Sequence, residues 1–220
     1  MNDRLLVRVG WVLPMITIPL AMLIHVISGN ARAFPIFISE SDYPGLERLV
    51  FTTGLAVTGG ILVAIAWRLW ERLRGQAKAW LLAIGGLAGA LTGSSLSIMA
   101  FNDMYDHIDM HVITALGVFW GGTAWALCFH LSLPNLNEKG KRLRKWALIL
   151  VFTSIISMTL LMRLAFDAVP DAREPLDLNA VQEYVAWAAL AEYALFIALI
   201  LCLISFERDL IDSTNHLSEE

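Results

Sequence analysis

The sequence predicts an all-α polytopic membrane protein, a bundle of six transmembrane helices that forms a single domain over residues 1–220. Hydrophobic residues make up 57% of the chain and charged residues only 16%, whereas soluble domains carry about 25% charged residues. Six apolar stretches are each long enough for a helix to cross the hydrocarbon core, which takes roughly 20 residues. No stretch has the continuous polar face of a soluble helix. They cover residues 9–28, 46–70, 79–101, 110–133, 146–165 and 182–206.

The first stretch also has features of a cleavable signal peptide. Arg4 and Arg8 precede it, and Ala31-Arg32-Ala33 after it has the small-residue pattern of a cleavage site. Its apolar run of about 20 residues is longer than the roughly 7–15 residues of a signal-peptide core. We therefore predict that it is retained as the first span.

The connection between the first and second stretches, residues 29–45, is unusually apolar for an exposed loop. Phe34, Ile36, Phe37 and Ile38 lie close together in it. Such a segment either lies in the membrane interface or folds over the outer mouth of the bundle as a lid. The sequence leaves both interpretations open.

The third stretch contains Gly85, Gly89 and Gly93 at four-residue spacing, which lets a neighbouring helix approach closely in lipid. This helix packing can take place within one chain or between chains, so the oligomeric state stays open.

Basic residues predict the orientation of the bundle. They cluster in the N-terminal tail, in the second-to-third connection and in the fourth-to-fifth connection. The positive-inside rule then places both termini in the cytoplasm. We interpret these short basic loops as topology signals that can also bind a protein partner, and not as a nucleic-acid surface.

Polar residues concentrate in the opposite, outer half of the predicted bundle. Glu192 lies about ten residues, or about 15 Å, into the sixth span, where a carboxylate must pair, take up a proton or face water. A bundle with its polar atoms in one half is expected to have a cavity that opens on that side. The other members of this outer set are His25, Glu47, Ser97, Asn102, His111 and Arg163.

These residues could in principle serve metal binding, haem binding or nucleophilic catalysis. His107 and His111 with Asp103 would share a helix face as metal ligands only if the fourth span began early, and His25 with His111 would make only one haem pair, so we predict no metal and no cofactor. A serine such as Ser97 with His111 and Glu192 could supply nucleophile, base and orienting group. The alternative is that His111 and Glu192 form a structural pair between two helices.

Five short motifs resemble the FRAG/DRAM/SFK family of six-span membrane proteins, which includes a factor that remodels the lipid of glycosylphosphatidylinositol (GPI) anchors. The similarity runs over about residues 10–210, although here Phe101 precedes Asn102 where the family often has Asn before an aromatic residue. The motifs are Ile36-Phe37-Ile38-Ser39-Glu40-Ser41, Pro44-Gly45-Leu46-Glu47-Arg48-Leu49-Val50-Phe51, Leu96-Ser97-Ile98-Met99-Ala100-Phe101-Asn102, His111-Val112 and Ala191-Glu192-Tyr193.

The resemblance implies a lipid-related function on the non-cytoplasmic side, in a plasma membrane or an endomembrane according to the source. It singles out His111, Glu192, Glu47 and the segment Ser39-Glu40. We therefore expect an outer-leaflet cavity that binds or remodels membrane lipid, with His111 and Glu192 as candidate catalytic residues and Arg163 as a phosphate ligand. The alternatives are a non-catalytic scaffold with a structural polar cluster, and a proton or solute carrier that uses Glu192. Whether the protein is an enzyme is left open.

Overall fold

A computed structural model of the chain describes residues 3–133, 137–172 and 176–216, and its fold is all-helical. All six long helices have the length and composition needed to cross a membrane. A short 3-10 helix lies at Ile38–Ser41 and another at Pro170–Ala172. The long helices are α1 (Asp3–Ile27), α2 (Leu46–Leu73), α3 (Ala79–Met99), α4 (Ile108–Ser132), α5 (Glu138–Ala168) and α6 (Gln182–His216).

The predicted fold class and the number of helices are confirmed, but several helices extend beyond the apolar stretches. The clearest case is α5, which begins at Glu138 instead of at residue 146. Lysine and arginine are good helix formers, so the basic segment continues the helix outside the apolar region. The Asn137 side chain starts it by accepting a hydrogen bond from the Gly140 N–H at 2.6 Å.

The helices follow one another around the bundle, with close packing between α1 and α2, α2 and α3, α3 and α4, and α5 and α6. α1 also packs against α6. At the start of α1, Arg8 and the Trp11 indole both donate hydrogen bonds to the Glu207 carboxylate of α6. The start of α1 and the last part of α6 therefore lie at the same end of the bundle, which we call the inner end. The opposite end is the outer end, and the cytoplasmic location of the inner end stays a prediction.

The inner end also buries charge that the sequence analysis had treated as exposed topology signals. Arg144 of α5 is only 1% exposed, and its Nη1 donates to Asp209 Oδ2 at 2.6 Å and to Ser205 Oγ at 3.0 Å. Its guanidinium also lies over the Phe206 ring, 5.5 Å from the ring centre. This ion pair and its aromatic neighbour join α5 to α6.

The glycines of α3 allow close helix contacts within the chain. A Cβ atom on Gly93 would collide with the backbone oxygen of Gly59 and would lie 2.8 Å from the backbone nitrogen of Val63. Gly89 and Gly85 face α4 instead, where a Cβ would come within 2.7 Å of Trp125 and 2.8 Å of Phe129. The four-residue spacing thus serves contacts of α3 with both of its neighbours in the same chain.

Replacing Gly93 by alanine is expected to destabilise the protein by about 1–3 kcal/mol, because the added methyl group meets rigid backbone and forces α2 and α3 apart. Gly60→Ala on α2 is the matched control, since open space surrounds that position. Thermal unfolding of both variants in detergent tests this. Equal unfolding temperatures for the two variants would contradict the close α2–α3 contact.

Candidate functional site

The connection between α1 and α2 packs into the outer end of the bundle. Ile36, Phe37 and Ile38 are buried, whereas Phe34 remains 69% exposed. Phe37 joins a hydrophobic cluster with Ala165 of α5 and with residues at the start of α6. We call residues 32–42 the outer loop. Its apolar residues are explained by contacts inside the protein, so it does not lie free along the interface.

Glu192 of α6 holds the outer loop at depth. Its Oε2 accepts a hydrogen bond of 2.6 Å from the backbone N–H of Ile38, and the neighbouring Tyr193 hydroxyl donates to the Ile36 carbonyl. Since Glu192 lies ten residues into α6, the outer loop reaches about 15 Å below the start of that helix. Backbone at this depth is tolerated when it is buried in protein. A carboxylate at this depth was predicted to need a partner. For Glu192 that partner is the backbone N–H of Ile38 in the outer loop.

A buried ion pair fixes the fold of the outer loop itself. The Arg32 guanidinium donates to both oxygens of Glu40, each at 2.6 Å, and it also donates to the Gln182 side chain at the start of α6. Glu40 Oε1 accepts the Phe37 N–H at 2.6 Å, and its backbone carbonyl accepts the Tyr105 hydroxyl at 2.8 Å. Glu40 is one of the predicted site residues, whereas its partner Arg32 is not.

His25 and Glu47 form a second buried contact at the outer end. His25 Nδ1 lies 3.5 Å from Glu47 Oε1, and both residues are at most 2% exposed. The Asn30 side chain donates to the same oxygen at 2.9 Å, and the Tyr43 ring lies 5.6 Å from the imidazole. These contacts tie the end of α1 to the start of α2.

Arg48 links two acidic residues that the sequence analysis did not place in the site. Its guanidinium lies 3.6 Å from Asp42 Oδ1 and 3.2 Å from Asp103 Oδ2. Asp42 is 1% exposed and its Oδ1 has no hydrogen-bond partner in the described part of the chain. Burial raises the pKa of Asp42 to about 7, with Arg48 opposing the shift. Burial also acts on Asp103, but N–H donors of Tyr105 and Asp106, together with Arg48, hold its pKa below the ordinary value.

These pKa values predict that the outer end is more stable in mild acid. The folded chain keeps a proton on Asp42 up to about pH 7, whereas an unfolded chain releases it near its ordinary pKa of 3.8. The folded state therefore binds more protons in this window, and stability falls as the pH rises from about 4 to 7. Asp103 has the opposite shift, so its stabilising contribution is lost only as the pH falls below about 4.

We expect wild type to unfold at a higher temperature at about pH 5 than at about pH 8, and Asp42→Asn to reduce that difference. The effect is bounded at a few kcal/mol, since each pKa unit corresponds to about 1.4 kcal/mol. Asp109→Asn is the control, because Asp109 is exposed. The assignment to Asp42 is wrong if both variants keep the wild-type pH profile.

His111 does not pair with Glu192. Its buried Nδ1 lies 2.7 Å from the Asn102 carbonyl, which requires a proton on Nδ1, and the Asn102 side chain donates to the Ile98 carbonyl at 2.7 Å. Within the described residues, no hydrogen bond or ion pair joins His111 to Glu192. Both the predicted catalytic pair and the alternative structural pair between α4 and α6 are therefore replaced by separate bonds to backbone carbonyl and N–H groups.

The remaining predicted site residues are Ser97, Ser39 and Arg163. Ser97 donates to the Ala56 carbonyl at 3.0 Å, within the α2–α3 contact. Ser39 is half-buried, and its carbonyl accepts the Asp42 N–H at 3.1 Å. Arg163 is 77% exposed in its side chain and lies 3.8 Å from Asp167 on the same helix. The structure thus does not bring Arg163 or Ser97 into a common cavity with His111 and Glu192.

An open groove lies between α5 and α6. It has a volume of about 410 Å³ and lies in the outer half of the bundle. Its lining consists of Thr153, Ser154, Ser157, Leu161, Trp187, Leu190, Ala191 and Ala194.

The fold and the outer site define a six-helix integral membrane protein with a loop locked into the outer end of its bundle. A family model described as the Frag1/DRAM/Sfk1/Cwh43P N-terminal domain matches residues 4–213. The chain therefore belongs to the Frag1/DRAM/Sfk1 family, and the resemblance inferred from its motifs is confirmed. Neither a curated protein nor a solved structure matched the chain in the same comparisons.

Proposed function

We propose that this protein binds membrane lipid non-catalytically, with an acyl chain of an outer-leaflet lipid in the α5–α6 groove. The outer polar cluster then acts as a structural lock that keeps the outer loop in the bundle. The groove is the observation that carries the proposal.

The groove has the chemistry of an acyl-chain site. It lies on the membrane-spanning parts of two helices, where lipid is the surrounding solvent. Leu161, Trp187 and Leu190 supply apolar walls, while Ala191 and Ala194 leave room between them. Its volume falls within the range of about 300–1,000 Å³ that is typical of small-molecule sites. A lipid chain is the abundant ligand that fits an apolar groove at this depth.

Binding is favoured over lipid remodelling because the candidate catalytic groups are engaged elsewhere. Acyl transfer needs a nucleophile and a base within hydrogen-bond reach of each other. His111 bonds to Asn102, Glu192 bonds to the Ile38 N–H, and Ser97 bonds to Ala56. We accordingly propose that lipids, including GPI-type lipids, are ligands of this chain and not substrates of the outer cluster.

The same hydrogen bonds favour a structural role for the outer polar cluster. They do not imply that the whole protein is only a scaffold. Buried side chains that satisfy one another rigidify a fold and do not leave charge free for a ligand. The carrier interpretation loses its main support, since Glu192 is bonded to the outer loop.

Ala194→Phe tests the proposal by filling the groove. We expect native mass spectrometry of the purified variant to show at least a severalfold loss of the bound lipid relative to wild type. Ala64→Phe is the matched control, because Ala64 is an exposed alanine on α2, outside the groove. Equal lipid retention in wild type and Ala194→Phe would refute the groove as the lipid site.

A further inference from the structure

Buried donors without acceptors gather at the inner end of the bundle. Within the described residues, four buried side-chain polar atoms lack a hydrogen-bond partner. One is Asp42 Oδ1 at the outer end, and the other three are Trp125 Nε1, His130 Nδ1 and Arg144 Nε. An indole N–H and an arginine Nε–H can only donate, so both require an acceptor.

Trp125 and Arg144 lie beside the same aromatic ring. The Phe206 ring lies 5.2 Å from the Trp125 ring and 5.1 Å from the Phe129 ring, and the Arg144 guanidinium lies over its face. His130 directly follows Phe129 near the end of α4. Trp125 and Arg144 therefore meet at the Phe206 ring, although they come from two helices.

Basic side chains gather in the same region. Lys141 and Lys145 of α5, with Arg144, lie close enough to His130 to act on it electrostatically. Arg144 donates to the Asp209 carboxylate through Nη1, whereas its Nε has no hydrogen-bond partner. Glu207, the other buried acid at this end, is held by the arginines and Trp11 of α1.

Topology signalling alone does not explain this arrangement. The positive-inside effect needs only basic residues near the ends of spans. Leaving a donor buried without a partner costs about 1–3 kcal/mol, and a charged group costs more. A bound anion with several acceptor oxygens would satisfy the buried donors and the nearby cations together.

We propose that the inner end of α4 and α5 forms a binding site for a phosphate group, with buried Arg144 and half-buried His130 as ligands and Lys145 at its entrance. In the membrane, the abundant source of such a group is the headgroup of an anionic phospholipid in the inner leaflet. The site is separate from the α5–α6 groove, and it does not depend on the proposed lipid binding there.

The test compares the thermal unfolding of the protein in nanodiscs of phosphatidylcholine with that in nanodiscs that also contain phosphatidylglycerol. The variants are Lys145→Ala and His130→Ala, since Arg144 is needed for folding. Arg142→Ala is the matched control for Lys145→Ala, because it removes one exposed positive charge from the same basic segment. Inorganic phosphate is titrated into the phosphatidylcholine samples in parallel.

We expect phosphatidylglycerol to raise the unfolding temperature of wild type and of Arg142→Ala alike, and to stabilise Lys145→Ala and His130→Ala much less. Loss of one charge-assisted hydrogen bond corresponds to about a tenfold loss of affinity. If inorganic phosphate alone gives the same pattern across the variants, the site is supported with a free anion as its ligand. Equal losses in Lys145→Ala and Arg142→Ala, or no change in any variant, would overturn the proposal.

Discussion

Replacing Arg32 by alanine is expected to destabilise the protein by about 3–5 kcal/mol, because it leaves the Glu40 carboxylate buried without its partner. Both side chains are less than 10% exposed, at 8% and 7%, and the pair is bidentate. The loss should be greatest in the outer loop, which Arg32 also joins to Gln182 of α6. Thermal unfolding and limited proteolysis at the outer loop measure the two effects.

Arg163→Ala serves as the control for Arg32→Ala, since Arg163 is mostly exposed and pairs only loosely with Asp167. Exposed ion pairs contribute about 0–1 kcal/mol. An Arg32→Ala variant that unfolds like wild type and resists protease at the outer loop would show that the pair does not lock the loop.

Arg144→Ala is expected to have a comparable effect at the inner end, about 3–5 kcal/mol. The substitution removes the buried ion pair with Asp209 and the bond to Ser205, and it takes away the cation above Phe206. Arg142→Ala two residues earlier should change stability by less than about 0.5 kcal/mol, because surface substitutions usually do so. Similar unfolding temperatures for Arg144→Ala and Arg142→Ala would contradict the buried network.

The fold was predictable from sequence because the bilayer imposes a length and a hydrophobicity on each span. The ends of α5 and α6 were not, because polar residues such as Lys139 and Lys141 continue a helix without changing the apolar pattern. For a similar reason, the burial of Arg144 could not be predicted from the sequence. A basic residue near a span end looks like a topology signal, and only the position of Asp209, far along the chain, makes it a buried partner.

The candidate site was predictable in its residues but not in its pairings. Counting depth along the spans predicted that Glu192, Glu47 and His25 are buried polar groups. His25 and Glu47 are buried, and Glu192 is half-buried. It could not show that the partner of Glu192 is the backbone N–H of Ile38, since a backbone group carries no sequence signal. One signal was available for Arg32: a basic residue beside an apolar loop that also contains Glu40.

The most direct test compares lipid retention in a groove variant with retention in a cluster variant. Native mass spectrometry with lipid identification is applied to wild type, Ala194→Phe and the double variant His111→Ala/Glu192→Gln. We predict that the double variant is less stable but keeps its bound lipid, whereas Ala194→Phe loses the lipid and stays folded. Loss of lipid from the double variant, with full retention in Ala194→Phe, would show instead that the outer polar cluster is the lipid site.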